Sequence, residues 1–168
     1  MKKGIAFVLL LMMLTGCGTE PEFETMGNIQ YEPEVIPQAG YISVMIPADA
    51  AEEVMADSTL GKRFTWDQNE IRLETLEAGD LARTLRMITG MDPEKLTVIS
   101  QKRDGMNTWQ TVWSTSGEDG ILVGRALIAD DGYYHYCMSL LSPEQTDSAE
   151  VYEDLVSTFT IRETDIEK

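Results

Sequence analysis

One histidine and two cysteines carry most of the soft chemistry in this chain of 168 residues. His135 and Cys137 stand at i and i+2, so in a strand both side chains leave one face and could begin a soft metal site. A closed zinc site needs four ligands, and no second histidine or Cys-x-x-Cys completes this one. Both are therefore read as strand residues, Cys137 as a small buried hydrophobe. A serine or cysteine nucleophile needs a positioned base, and His135 is the sole ordinary one. Neither a Gly-x-Ser-x-Gly elbow nor a phosphate-cradling glycine loop is present. Paired carboxylates acting on a sugar cannot be located among 29 acidic residues without coordinates. Glu118-Asp119 and Asp130-Asp131 fall in turns that a regular meander would bring to one end of the sheet, where clustered carboxylates suit calcium. Neither has EF-hand spacing, so both are read as solvated turns. No catalytic residue, metal ligand or cofactor is assigned. The aromatic residues remain. Tyr133, Tyr134, His135 and Tyr136 run consecutively, so two of these rings must face away from the other two, and Trp109 and Trp113 share a face with Thr111. Trp109, Trp113, Tyr133, Tyr134 and Tyr136 are core if helices cover both faces, and a candidate ligand or partner patch if one side is open.

Positioning those side chains takes a sheet. Leu96 to Arg103, Met106 to Thr115, Ile121 to Ala129 and Tyr133 to Leu141 read as a four-strand meander joined by Asp104-Gly105, Ser116 to Gly120 and Asp130-Asp131-Gly132. Ile121 to Ala129 is apolar on both faces apart from Arg125, as a strand covered on each side should be. Upstream, Tyr41 to Pro47 reads as a first strand ended by proline. Ala48 to Ala56 carries helix formers and predicts a short helix or irregular turn. Lys62 to Asp67 and Glu70 to Leu76 predict a hairpin, with Phe64 and Trp66 on one face and Ile71 and Leu73 opposed to Arg72 and Glu74. Asp80 can cap a helix from Leu81 to Thr89 that Gly90 stops, its apolar stripe being Leu81, Leu85 and Ile88. A second helix starts at Ser142-Pro143-Glu144-Gln145 or at Asp147-Ser148-Ala149-Glu150, with Val151, Tyr152, Leu155 and Val156 as its apolar side. Phe159 to Arg162 closes the domain as a strand. The expected fold is α+β, a single domain with a mainly antiparallel sheet of about six to eight strands flanked by two or three helices.

Lys2 and Lys3 precede an apolar run from Ile5 to Leu14. The run is about ten residues, where a bilayer-spanning helix takes roughly 20. Small residues then lead to a cysteine, and Leu14-Thr15-Gly16-Cys17 resembles the bacterial lipobox. That resemblance implies a signal peptide over residues 1–16, removed from the mature chain, and a diacylglycerol on the sulfur of Cys17. It places the protein on the outer face of the cell membrane, or on an outer membrane if the source has one. Two or three acyl chains anchor stably where one is marginal, at about 0.8 kcal/mol per buried methylene. Losing two lysines and no acid lowers Lys+Arg from 13 to 11 against 29 Asp+Glu, and the net charge from −16 to −18. Cys137 is then the one remaining cysteine, so no internal disulfide is expected. A surface this acidic repels phosphates, which excludes nucleic acid from the expected partners. Residues 17–39 read as the lipidated cysteine and an acidic tether containing Pro21, Pro33, Pro37 and five glutamates. Residues 40–163 are the domain and residues 164–168 a frayed tail.

Tyr41-Ile42-Ser43-Val44-Met45-Ile46-Pro47 at the start and Tyr152-Glu153-Asp154-Leu155-Val156-Ser157-Thr158-Phe159-Thr160-Ile161 at the end enclose a hairpin, a helix, a meander and a second helix. This order resembles the PsbP-like α/β/α sandwich over about residues 40 to 163. The resemblance implies a fold and no activity, since the fold hosts several roles and no family motif maps onto a residue here. The sequence leads to a lipid-anchored extracytoplasmic accessory or binding lipoprotein. It would meet the membrane through Cys17 and take an envelope protein or a small molecule as partner. No enzyme is expected; a cell-envelope hydrolase using paired carboxylates and a structural surface spacer are the alternatives.

Overall fold

Burial alternates along Asn69–Glu77: Ile71 and Leu73 are buried, whereas Arg72 between them and Glu74 after them are only half-buried. A period of two gives one strand two unlike faces, and the rest of the sheet is registered on it. The computed structural model describes residues 38–54 and 61–163; the signal segment, Cys17, the tether to residue 37 and the tail from 164 lie outside them. Among the described residues the elements are β1 (Tyr41–Ser43), β2 (Ala51–Val54), β3 (Gly61–Trp66), β4 (Asn69–Glu77), α1 (Leu81–Thr89), β5 (Thr97–Arg103), β6 (Met106–Gly117), β7 (Gly120–Asp130), β8 (Tyr134–Pro143), α2 (Ser148–Thr158) and β9 (Thr160–Arg162). Seven strands form one antiparallel sheet in the order β2-β3-β4-β8-β7-β6-β5, and β1 pairs with β9 separately. This is the expected α+β architecture.

Local chemistry accounts for most of these elements. Asp67 and Gln68, and then Asp104 and Gly105, all take positive φ, the two-residue turn that matches strand twist and closes a hairpin. Asp80 accepts from the Ala82 amide at 3.0 Å, and Gly90 ends α1 at φ 69°. Of the two candidate starts for the second helix the later is used: Asp147 accepts from the Ala149 amide at 3.3 Å, while Pro143 ends β8.

Three expectations need correction. The first strand stops at Ser43, because its partner β9 offers only Thr160–Arg162; Val44 and Ile46 leave the strand but still pack on the core. Ala51–Val54 is neither helix nor turn but an edge strand on β3, with Glu52 paired to Lys62 at 2.8 Å and Glu53 to Arg63. Cross-strand pairing there overrides helix propensity. The turns at Glu118-Asp119 and at 131–133 lie at opposite ends of β7, since successive antiparallel turns alternate. Eleven strand residues, about 35 Å, separate them, so their carboxylates cannot share an ion.

α2 and the β1–β9 ribbon roof one face of the sheet, over a core that includes Ile71, Leu127, Met138, Leu140 and Leu155. α1 roofs the other through Leu85 and Ile88, against Trp113, Ala126, Ile128 and Cys137.

Candidate functional site

The chain enters the α2 face through Gly40, where a Cβ would come 2.7 Å from the Arg162 carbonyl oxygen, so only glycine fits. The Gly40 amide donates to the Tyr136 hydroxyl at 3.0 Å, which in turn donates to Asp131 Oδ2 at 2.8 Å. The other oxygen of Asp131 accepts from the Tyr133 and Tyr134 amides, so the β7–β8 turn holds the start of β1 in place. Burial pushes the Tyr136 hydroxyl up to about 12; the Gly40 amide opposes this and Asp131 adds to it. Neutral tyrosine is thereby kept as the link between turn and strand.

Past Ser43 the chain leaves β9 but stays tied to α2. Met45 N–H donates to Thr158 Oγ1 at 3.1 Å, and Ala50 N–H to the Pro47 carbonyl at 3.1 Å. Val44 and Ile46 turn inward, leaving Met45 74% exposed. Two hollows flank this segment. One, of about 490 Å³, is lined by Ile42, Val44, Phe64 and Leu73, with Ser43, Lys62 and Thr75 among its polar members. The other, of about 690 Å³, lies between Met45–Ala48, Trp66 and α2: Met45, Ile46, Pro47, Trp66, Val151 and Leu155 give apolar atoms, and Asp154, Ser157 and Thr158 polar ones. Both volumes fall in the range of about 300–1,000 Å³ usual for small-ligand sites, which pair apolar walls with a few polar groups.

The sequence-selected residues go elsewhere. Cys17 lies outside the described residues. The five aromatic residues do not form one surface. Trp113 is buried and Trp109 half-buried on the α1 face, Tyr134 and Tyr136 lie on the α2 face, and Tyr133 is 41% exposed in the turn. Helices cover the sheet on both sides, so four of the five are largely packing. His135 and Cys137 share a face as expected, but His135 Nδ1 is 2.7 Å from Thr84 Oγ1, and its ring meets Trp109 edge-on at 6.0 Å. Burial pushes the Cys137 thiol far up and nearby Glu74 adds to it, so it stays protonated and unreactive. Among the described residues no three of His, Cys, Asp and Glu are grouped to hold a metal ion. Of the acidic pairs beside hollows, Asp67 and Glu70 flank the β3–β4 turn, where Glu70 is held by Arg72 and Arg63.

Met45, Pro47, Trp66 and Thr158, which build the larger hollow, carry no sequence motif. The one usable signal was Trp66 on the buried side of β3 beside a segment whose alternation leaves a methionine outside.

No family model matches the chain, and no curated protein matches it. Among solved structures it is similar to a protein from Bacteroides thetaiotaomicron VPI-5482, at TM-score 0.52 and 15% identity over 76% of this chain and 47% of that one. The chain thus spans about half of that protein's length. It is also similar to cyanobacterial PsbP (CyanoP) from Synechocystis sp. PCC 6803, at TM-score 0.56 and 11% identity over 71% of this chain and 86% of that one. LpqN, involved in cell envelope biogenesis of Mycobacterium tuberculosis, superposes at TM-score 0.46 and 10% identity over 74% and 86%. Among the described residues no helix is long and apolar enough to cross a membrane. Likeness to most of the cyanobacterial protein, together with the strand order above, shows that the described residues adopt the PsbP-like α+β fold.

Proposed function

We propose that this protein is a lipid-anchored extracytoplasmic lipoprotein whose domain binds a ligand in the hollow between Met45–Ala48, Trp66 and α2. The observation that carries this reading is the hollow of about 690 Å³ itself, walled by Trp66, Met45, Ile46, Val151 and Leu155. Unbranched methionine adapts to varied apolar shapes, and tryptophan offers a large, rigid apolar surface. Asp154 and Thr158 at its side supply the polar contacts that would orient an apolar or amphiphilic ligand. The lipobox-like Leu14-Thr15-Gly16-Cys17 supports the anchor, and the acidic tether would hold the domain away from anionic headgroups.

The test uses Nile red, a neutral apolar probe, titrated into the full chain. Saturable one-to-one binding is expected, at least tenfold weaker in Met45→Asp; Met45 is so exposed that the variant should fold normally. Equal binding by the two proteins would remove the hollow as the site. The anchor is tested separately: Cys17→Ser should leave the membrane fraction, and its retention there would refute lipid attachment.

A further inference from the structure

The two edges of the seven-stranded sheet are finished differently. β2 has four residues, and its Glu52 and Glu53 are tied to Lys62 and Arg63 of β3, so the edge is short and charged. Natural sheets blunt exposed edges in this way, because unpaired backbone groups otherwise invite another strand. β5 has seven residues, and Thr97–Gln101 contains neither charge nor proline. All of β5 except Val98 and Arg103 is exposed.

Among the described residues, the sheet surface beside this edge is also unfinished. Leu127 points to the α2 side from β7, Gln110 reaches the Tyr152 hydroxyl from β6, and Arg103 donates from β5 to the Val156 carbonyl at 2.6 Å. By the strand period Ile121, Val112 and Ile99 lie on that same side. They are 51%, 52% and 57% exposed and belong to neither buried cluster. Thr97 faces Val112 and Ile99 faces Gln110, which makes Ile99 and Val112 diagonal neighbours beside the open edge.

Charge indicates the kind of strand that fits. Thr97–Arg103 holds two basic residues and no acid, in a chain with 29 acidic residues against 13 basic ones. Arg103 is engaged with the carbonyls of Val156 and Ser157, whereas Lys102 is exposed and has no ion pair among the described residues. A second copy would bring another strongly acidic body and set two basic edges side by side. We propose that β5 is a strand-addition site for an extended segment of a partner protein, in which aliphatic residues alternate with carboxylates. Main-chain bonds to the β5 edge would hold the segment, its aliphatic side chains would cover Ile99, and its carboxylates would meet Lys102.

A random ten-residue peptide library displayed against the full chain tests this, followed by amide hydrogen exchange with the enriched peptides. The enriched set should alternate aliphatic and acidic residues and slow exchange in β5 at least tenfold. Affinity should fall at least tenfold in Ile99→Lys and in Lys102→Glu, both exposed positions, and stay unchanged in Met45→Asp, which separates this edge from the hollow. Enriched peptides that leave β5 exchange unaltered, or that bind both β5 variants as tightly as the wild type, would overturn the proposal. So would β5 protection that rises with protein concentration in the absence of peptide, which would assign the edge to a second copy.

Discussion

On its α2 face the sheet is closed by a helix and a two-stranded ribbon, over eleven buried side chains among the described residues, from Phe64 to Phe159. On its α1 face one helix and the tryptophans of β6 suffice, over six. The larger roof is made of separate pieces, and hollows remain between segment 42–47 and its neighbours. The smaller one is filled beneath its helix: the Trp113 ring lies across Gly124 of β7, and His135 is wedged between Thr84 and Trp109. Residues of the kinds that usually signal chemistry are thus used for packing on one face, while the hollows on the other are lined by aliphatic residues, Met45, Phe64 and Trp66, none of them in a motif. Composition ranks residues by what they could do; only packing decides which have room to do it.

The largest effect expected from breaking this contrast is on the α2 face. Leu155 is 2% exposed and joins α2 both to the core and to the wall of the larger hollow. Leu155→Ala should cost about 2–5 kcal/mol, since the helix cannot collapse into the space left behind. The measurement is the urea midpoint at unchanged slope. The opposite operation probes the α1 face. A Cβ on Gly124 would run into the indole of Trp113, so Gly124→Ala should cost about 1–3 kcal/mol by displacing that ring. Combined, the two should add within about 0.5 kcal/mol, because they lie on opposite sides of the sheet. A larger coupling would show that the two faces do not pack independently.

The parts of this arrangement that local signals specify were legible in the sequence. α1 has its capping aspartate and stopping glycine within eleven residues of each other, and the hairpins announce themselves in two-residue turns. Features that depend on distant partners were not. β2 pairs along β3, where Arg63 lies across from Glu53 and Lys62 reaches Glu52 diagonally, and this pairing outweighs the helix propensity of its own residues. The sequence groups Trp109 and Tyr136 in one candidate patch, yet their relative side depends on register through the intervening β7. Trp109 faces Ile128 and Ile128 faces Cys137, which puts the tryptophans with Cys137 and the tyrosines opposite. The hollows depend on where β1 parts from β9, a length that no periodicity in Tyr41–Pro47 encodes.

The smallest expected effect is a difference in pH response between the faces. Glu74 lies across β4–β8 from Cys137, on the α1 side, and burial raises its carboxyl above the usual range, with Arg72 partly offsetting this. A raised carboxyl binds its proton more tightly in the folded chain than in the unfolded one. The stability it contributes is therefore complete below the unfolded value and is lost as pH rises through the folded one. At pH 7, well above the unfolded value, the group is therefore a net cost that glutamine would not carry. Glu74→Gln should raise the melting temperature at pH 7 on the order of a degree, and the gain should shrink as the pH is lowered toward 4 and wild-type Glu74 takes up its proton. Tyr136 on the α2 face should contribute no such dependence, since, raised to about 12, it stays neutral throughout this range and loses its contribution only in strong alkali. A gain of equal size at both pH values would trace the effect to side-chain shape, and the α1 face would lose its distinctive pH response.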